Sequence, residues 1–506
     1  MSVFESSPVI YKRGLYLGWV GKYNAGDDVV LHEIQQKLVI AAASLDPPIS
    51  ISLYPFLPSF PCEQVAVDIT YYDFLVLGGG SILTQDEYRC QLNAARAASL
   101  PIFVGGSGWD PRSKFKTSMM DKEMMPLDYA WFVRFQRTES SLGGVRGPLT
   151  MRALKQYAPD TKLKIIGDAG LLLSSDTTRL EEMIPASFVD YLAIGYGDNE
   201  GASIYHTNNN HALDSAFASF ICTAALDYPL HPIVLYSMDG KSLSTLHKLY
   251  LFVIETLKKE DQRTDDDAAA AAATRIIFVP RVLDPNTCTR LFAHAKATIN
   301  YKLHGSVMSA GVGTPFVALA YHFKSLDFAA SLLTVENGGL STNGKGYPLN
   351  LTIATDDLES DYTLLFTALD YVLDPQNYNV LKETLKHLRG VVSEKWEIAT
   401  REFVQHLTCC QEEEPAKEET TDEVPVKKAP CEGKKPCQEQ FQKPKMVQKL
   451  LPEIKECDCK SNKIVPAKCG CEKLKTKCGC QTCPCLKAEG KRNLSFHLFL
   501  LFDSVV

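Results

Sequence analysis

The chain of 506 residues predicts an α/β fold of two domains built on parallel sheets, followed by a disordered, cysteine-rich C-terminal tail. Three observations predict it. From residue 14 onward short apolar runs alternate with longer amphipathic ones, the pattern of buried parallel strands joined by crossover helices. The length, with 45% hydrophobic and 22% charged residues, is enough for two large cores. Of 16 cysteines only Cys62, Cys90, Cys222 and Cys288 precede residue 409, so the body is not a disulfide scaffold.

In the first half the strand-like runs are GLYLGWV (14–20), ISISLYPF (49–56), DFLVLGGG (73–80), PIFVGGSG (101–108) and LKIIGDAG (163–170). Helical periodicity fills most gaps between them, notably DDVVLHEIQQKLVIAAASL. The second half repeats the pattern with DYLAIGYG (190–197), HPIVLYSM (231–238), RIIFVP (275–280), ATINYKLHG (297–305) and PFVALAY (315–321). A charged, alanine-rich insertion, KKEDQRTDDDAAAAAATRI, either extends a helix or forms a surface loop. Residues 357–408 read as helical, their last amphipathic stretch suited to pack back across the domain pair. The expected division is a first domain over 1–180, a second with closing helices over 181–408, a disordered linker over 409–456, a metal-binding segment over 457–492 and a short apolar end over 493–506.

The formal charge of −7 argues against wholesale binding to nucleic acid or to an anionic membrane. The opening MSVFESSPVIYKRGLYLGWVG lacks an apolar core behind a basic start, and no stretch offers the ~18 apolar residues of a membrane span. A cytoplasmic protein without a membrane span is expected.

Ligands of open α/β sheets sit beyond the carboxyl ends of the strands, so the segments leaving those ends carry the functional reading. GWVGKYNAGDDVVL follows the first strand and enters a helix, where Gly21 and Gly26 permit close backbone approach and the helix start presents N–H groups to an anion. Asn24, Asp27 and Asp28 can cap that helix. Gly78, Gly79 and Gly80 repeat the arrangement after one strand and Gly105, Gly106 and Gly108 after the next. None fits the spaced glycine motif of dinucleotide sites or the Lys-Ser/Thr phosphate loop. Arg146 stands beside a helix start at Pro148, where a guanidinium can grip a carboxylate or phosphate with two bonds, or lie on the surface. Asp168 ends an apolar run and can act as a base or cap a turn. In INYKLHG, alternation places Lys302 and His304 on one strand face at its C-terminal end, a cation and a titratable imidazole together.

Taken in order, GWVGKYNAGDDVVL, DFLVLGGGSIL, VRGPLTMRAL with IIGDAGLLL, and YKLHGSVMSAGVGTPFVALAYHFKSLDF resemble the polysaccharide pyruvyl transferase family over residues 14–328. The last block is the most specific: a basic residue, Leu, His, an apolar helix, Gly-x-Pro, then Tyr321-x-x-Lys324. The resemblance implies two Rossmann-like domains in a GT-B-like arrangement. It implies a phosphoenolpyruvate donor, a glycan acceptor and a ketal built on two sugar hydroxyls with release of phosphate, no cofactor being required for the transfer. Asn24, Gly26, Gly79, Gly80, Arg146, Lys302, Tyr321 and Lys324 are the expected substrate-binding set. His304 is then the acid or a phosphate-stabilising cation, and Asp28 or Asp168 accepts hydroxyl protons. Two positions depart from the family pattern: lysine at 302 where arginine is usual, and Ala169 where proline is usual. Lysine keeps the charge but loses the two-pronged fork. The alternatives are a GT-B glycosyltransferase using a nucleotide sugar, with SMDGKS and GYGDNEG around its base and ribose, or a degenerate scaffold that carries the tail.

Beyond residue 410 the sequence turns to Glu, Lys, Thr and Pro, the composition of a disordered linker. It then presents four Cys-x-Cys pairs: Cys457 and Cys459, Cys469 and Cys471, Cys478 and Cys480, Cys483 and Cys485. Thiolates at this density in a reducing compartment favour Zn(II) or Cu(I). The segment resembles metallothioneins and cysteine-rich CXC domains. Nucleic acid is not an expected partner except through the basic residues of this tail, for which a solvated charged face is an equal reading.

Overall fold

The computed structural model describes residues 10–21, 24–56, 67–84, 88–109, 141–174, 178–197, 210–264, 267–334, 348 and 351–409. The cysteine tail, with the metal ligands expected of it at Cys457, Cys459, Cys469, Cys471, Cys478, Cys480, Cys483 and Cys485, lies outside them.

The first sheet comprises β1 (Ile10–Leu17), β2 (Ile49–Phe56), β3 (Phe74–Leu77), β4 (Ile102–Ser107), β5 (Ser141–Val145) and β6 (Lys164–Ile165), in the order β2-β1-β3-β4-β5-β6. The second comprises β7 (Tyr191–Gly195), β8 (Ile233–Ser237), β9 (Ile276–Val282), β10 (Ala295–Asn300), β11 (Phe316–Ala320) and β12 (Thr352–Ala354), in the order β12-β11-β10-β7-β8-β9. Every pairing in both is parallel. The central strands FLVL, YLAIG, IVLYS and FVALA are buried at every position, because helices cover both faces and no strand side meets water.

The described helices are α1 (Ala25–Ala43), α2 (Arg89–Ala97), α3 (Pro148–Tyr157), α4 (Asn210–Asp227), α5 (Gly240–Thr264), α6 (Asp267–Thr274), α7 (Pro285–Ala293), α8 (Leu303–Gly311), α9 (Phe323–Ser331), α10 (Thr355–Ser360), α11 (Thr363–Leu373) and α12 (Pro375–Cys409). The alanine-rich insertion extends and follows a helix, forming the end of α5 and all of α6. Among the described residues no helix is long and apolar enough to cross a membrane.

Counted from its own first strand, the second sheet has the Rossmann order 3-2-1-4-5-6, and the first begins with the flavodoxin-like 2-1-3-4-5. Each order reverses at one point, between β1 and β3 in the first sheet and between β7 and β10 in the second. The loops after β1, β3 and β10 are those that carry Asn24 and Gly26, Gly79 and Gly80, and Lys302 and His304. Topology therefore puts the glycine loops and the Lys-Leu-His segment at the two places where such sheets leave a crevice.

Two elements cross from the second half to the first sheet. In α12 the Trp396 ring meets Phe103 at 5.9 Å, and Phe403 meets Phe74 at 5.5 Å and Phe103 at 5.0 Å. Lys37 to Glu397 at 3.6 Å and Lys164 to Glu402 at 3.0 Å pair along its outer edge. The shorter α9 sends Phe323, Leu326 and Ala330 into a core shared with Leu15, Leu77, Val104 and Leu149. With the last helix packed back on the first sheet, the two Rossmann-like halves form a GT-B-like fold.

Two sequence expectations are corrected. The strand expected over 163–170 stops at Ile165. Gly167 turns with φ +88°, and Asp168 then caps a short 3-10 helix at Ala169–Leu172. Lys302 and His304 do not alternate on a strand: β10 ends at Asn300, Lys302 is the N-cap of α8, and His304 lies in its first turn. The Asn300 side chain takes the Tyr236 hydroxyl and crowds Gly305, whose added Cβ would meet Asn300 Oδ1 at 2.9 Å. Lys302 keeps extended backbone angles while His304 is helical, so strand alternation ends between them and the side chains diverge, Lys302 to Asp239 and His304 to Gly26 and Asp168.

Candidate active site

His304 is buried against the first turn of α1. A Cβ added to Gly26 would stand 2.1 Å from His304 Nδ1 and 2.3 Å from its Cβ, so only glycine admits the ring there. On its other side His304 Nε2 lies 4.0 Å from Asp168 Oδ2, and neither atom has a hydrogen-bond partner. Asp168 takes the capping role, Oδ1 accepting from Gly170 N at 2.9 Å at the start of the 3-10 helix, while Oδ2 faces the imidazole. The pair joins the second-half helix α8 to the end of the first sheet.

Asp27 completes a group of three. It is 8% exposed, and burial raises its carboxyl above the ordinary range, with Asp168 and Asp28 adding to the rise and His304 and Lys324 opposing it. Asn24 donates to Asp27 Oδ2 at 2.6 Å and accepts from Gly26 N at 3.2 Å, so both ends of that side chain are engaged in capping and bracing. Tyr16 on β1 lies beneath. Burial, then the Asp27 charge, push its phenol well above its ordinary value, so its hydroxyl remains a donor. Two carboxyls, an imidazole and a phenol, mostly withdrawn from water, can hold and pass protons.

Lys302 turns towards the second sheet. Its ammonium pairs with Asp239 Oδ2 at 3.3 Å, and Asp239 takes two further bonds from Ser242, at 3.0 and 2.7 Å. Burial pushes the Asp239 carboxyl up, but Lys302 and Ser242 outweigh it and hold it below its ordinary value. Asp239 also forms a backbone bridge to Asn24, which ties the loop after β8 to the loop after β1. Tyr321, 3% exposed and stacked on Tyr301 at 4.4 Å, stands between two cations: Lys302 Nζ is 5.9 Å from its ring centre and Lys324 Nζ 5.5 Å. Burial pulls Lys324 down, yet its charge interactions with Tyr321 and Asp27 and a hydrogen bond with Tyr321 leave it raised, and it stays charged.

Arg146 is wholly buried, not superficial. Gly108 leaves it room, since an added Cβ would meet Nη2 at 2.0 Å. Nη1 donates to the Gly80 carbonyl at 3.4 Å, and Nε lies 3.4 Å from Asp327 Oδ2, while Nη2 has no partner. A buried guanidinium with an uncommitted donor is the chemistry of an anion site.

Arg146 and Lys324 are close enough for their charges to oppose each other; Lys324 reaches Asp27, and Asp27 reaches His304 and Asp168. Gly80, at φ +88°, faces Asp27 as well. Of the residues expected from sequence, Gly26, Gly80, Arg146, Asp168, His304, Tyr321 and Lys324 gather here, with Lys302 and Asn24 alongside. Gly79 instead admits α1, an added Cβ falling 2.5 Å from Val30 Cγ1. Asp28 is half-buried one position past Asp27, turned about 100° away on the helix, and it reaches the group only through its charge on Asp27. The sequence reading treated Asp27 as a cap alone and missed Tyr16, Asp239 and Asp327. A polar hydroxyl inside a buried parallel strand is the one signal that could have singled out Tyr16.

Fold and site define a class: two Rossmann-like domains that gather cations and proton carriers at the C-terminal ends of their strands. A family model described as polysaccharide pyruvyl transferase matches residues 24–323, which include Asn24, Gly26, Asp27, Arg146, Asp168, Lys302, His304 and Tyr321, with Tyr16 and Lys324 just beyond its two ends. The chain belongs to that family, and by that membership it is a transferase. No curated protein matches the sequence. Similar solved structures include Staphylococcus aureus MnaA with UDP, at 10% identity and TM-score 0.45 over 78% of this chain and 96% of that one. A UDP-glucosyltransferase from Polygonum tinctorium matches at 10% identity and TM-score 0.45 over 79% and 100%. UDP-GlcNAc 2-epimerase from Methanocaldococcus jannaschii matches at 11% identity and TM-score 0.45, again over 79% and 100%.

Proposed function

We propose that the chain transfers a pyruvate ketal from phosphoenolpyruvate onto two hydroxyls of a glycan. The observation that carries this reading is the buried, incompletely partnered Arg146 beside the charged Lys324, adjoining Asp27, Asp168 and His304. A small donor with both a carboxylate and a phosphate needs such cations, and vinyl-ether activation needs a proton donor and a base next to them.

In this reading Arg146 and Lys324 hold the donor's anionic groups. Asp27, kept protonated more readily by burial, gives its proton to the methylene carbon, which becomes the methyl group. The neighbouring carbon turns electrophilic and one sugar hydroxyl adds to it, its proton passing to the His304 and Asp168 pair. The carbon–oxygen bond to phosphate then breaks. The second hydroxyl closes the ketal and its proton returns to Asp27. One proton has entered the methyl group and two have left the hydroxyls, so one remains to leave with phosphate.

Lys302 contributes charge at the rim while Asp239 holds it, which makes it the less direct donor contact. Incubation with phosphoenolpyruvate and a panel of galactosides and hexosamines tests the reading through phosphate release against a His304→Ala control. Release that depends on both acceptor and His304 supports it. Turnover of a nucleotide sugar without release from phosphoenolpyruvate overturns it in favour of glycosyl transfer, and no turnover of either favours a scaffold.

A further inference from the structure

Helix α3 begins without a cap of its own. Its N-cap is Gly147 and Pro148 follows, so no local side chain satisfies the first amides. The cap comes from α9, far along the chain. Asp327 Oδ1 accepts from Leu149 N at 3.0 Å and Thr150 N at 2.9 Å, and Oδ2 accepts from the Thr150 hydroxyl at 2.7 Å. The same Oδ2 faces Arg146 Nε at 3.4 Å, both side chains being fully buried. Gly147 is what lets the carboxylate in, since an added Cβ would meet Asp327 Oδ1 at 2.3 Å.

Asp327 and Lys324 lie three residues apart on α9 and so share one face of it. The helix thereby sets a lysine and a carboxylate in fixed register, and the carboxylate grips both α3 and Arg146. Two cations would otherwise repel each other at this spot. We propose that Asp327 is a positioning residue: by capping α3 from across the molecule and holding Arg146, it keeps Arg146 and Lys324 side by side as one anion subsite, without itself touching the donor.

The proposal rests on the functional reading for the identity of the anion, but not for its test. In the full chain, Asp327→Asn removes the charge and keeps an amide able to accept one cap bond. Asp327→Glu keeps the charge and moves it by one methylene. Thr150→Val removes the hydroxyl contact and leaves Arg146 engaged. Affinity for inorganic phosphate, read as a concentration-dependent shift in melting temperature, reports the subsite whatever the reaction. KM for phosphoenolpyruvate and kcat report its part in turnover. Both Asp327 variants should weaken phosphate binding about tenfold and raise KM similarly with kcat little changed, while Thr150→Val lowers the melting temperature alone. If Asp327→Asn does not fold, Asp327→Glu decides.

Unchanged phosphate affinity in a folded Asp327 variant overturns the proposal and leaves a structural cap. So does a wild-type chain that binds neither phosphate nor phosphoenolpyruvate. A wild type that binds phosphate but releases none from phosphoenolpyruvate overturns the functional reading alone.

Discussion

Gly26 and His304 meet so closely that a single methyl group cannot be placed between them: the Cβ of an alanine at 26 would overlap the imidazole at 2.1 Å from Nδ1. The contact sets the ring's distance from Asp168 and couples the first turn of α1 to the first turn of α8.

Gly26→Ala should therefore displace His304, and because the added carbon also falls 2.3 Å from His304 Cβ, which no rotamer change can move, the first turns of α1 and α8 have to part slightly while both helices persist. Misplacing a reacting group by about 1 Å costs on the order of 100-fold in rate. The expected outcome is that loss in phosphate release, with the circular dichroism spectrum retained. An alanine variant with full activity would show that the ring's position is immaterial.

Asp27 gives a pH signature with a definite sign. Its folded carboxyl is raised, so its contribution to stability is complete below the unfolded value of about 3.9 and is lost as pH rises through the folded one. Asp27→Asn removes that loss, and its melting temperature should gain on the wild type as pH rises above the unfolded carboxyl value, while transfer falls at least about 100-fold. Parallel melting curves at every pH would count against the buried, raised carboxyl.

Asp239 has the opposite sign. Lys302 and Ser242 hold its folded carboxyl low, so its stabilisation is present above the unfolded value and disappears as pH falls through the folded one. Asp239→Asn should cost about 1–2 kcal/mol near neutrality and nothing in acid, where the wild-type carboxyl is protonated as well. Urea titrations at the two pH values measure it.

Trp396 is fully buried where α12 returns to the first sheet. Trp396→Ala should lower the unfolding free energy by about 3–5 kcal/mol, visible as an earlier denaturant midpoint, whereas Trp396→Phe keeps most of the packing. An alanine variant as stable as the wild type would mean that α12 does not close the fold.

The apolar runs and their spacing made most of the strands legible, because a strand covered on both faces must be apolar throughout, as YLAIG and FVALA are. Where a polar side chain at a strand end would point was not legible. Lys302 and His304 alternate correctly for a strand and still separate, because the strand ends at Asn300 and α8 begins between them, with Lys302 as its extended N-cap. Asp27 and Asp28 are equivalent in composition, yet a turn of about 100° buries one and leaves the other at the edge.

The layered α/β architecture, the glycine loops at the switch points and the basic and imidazole groups of the family blocks are all written in local pattern along the chain. Which carboxylates serve those groups was settled by contacts between distant segments. Asp27 owes its raised carboxyl to burial, and Asp327 reaches Arg146 and α3 from 177 or more residues away. Charge pairing and desolvation act through space, and separation along the chain carries no trace of them until the two sheets have closed on each other.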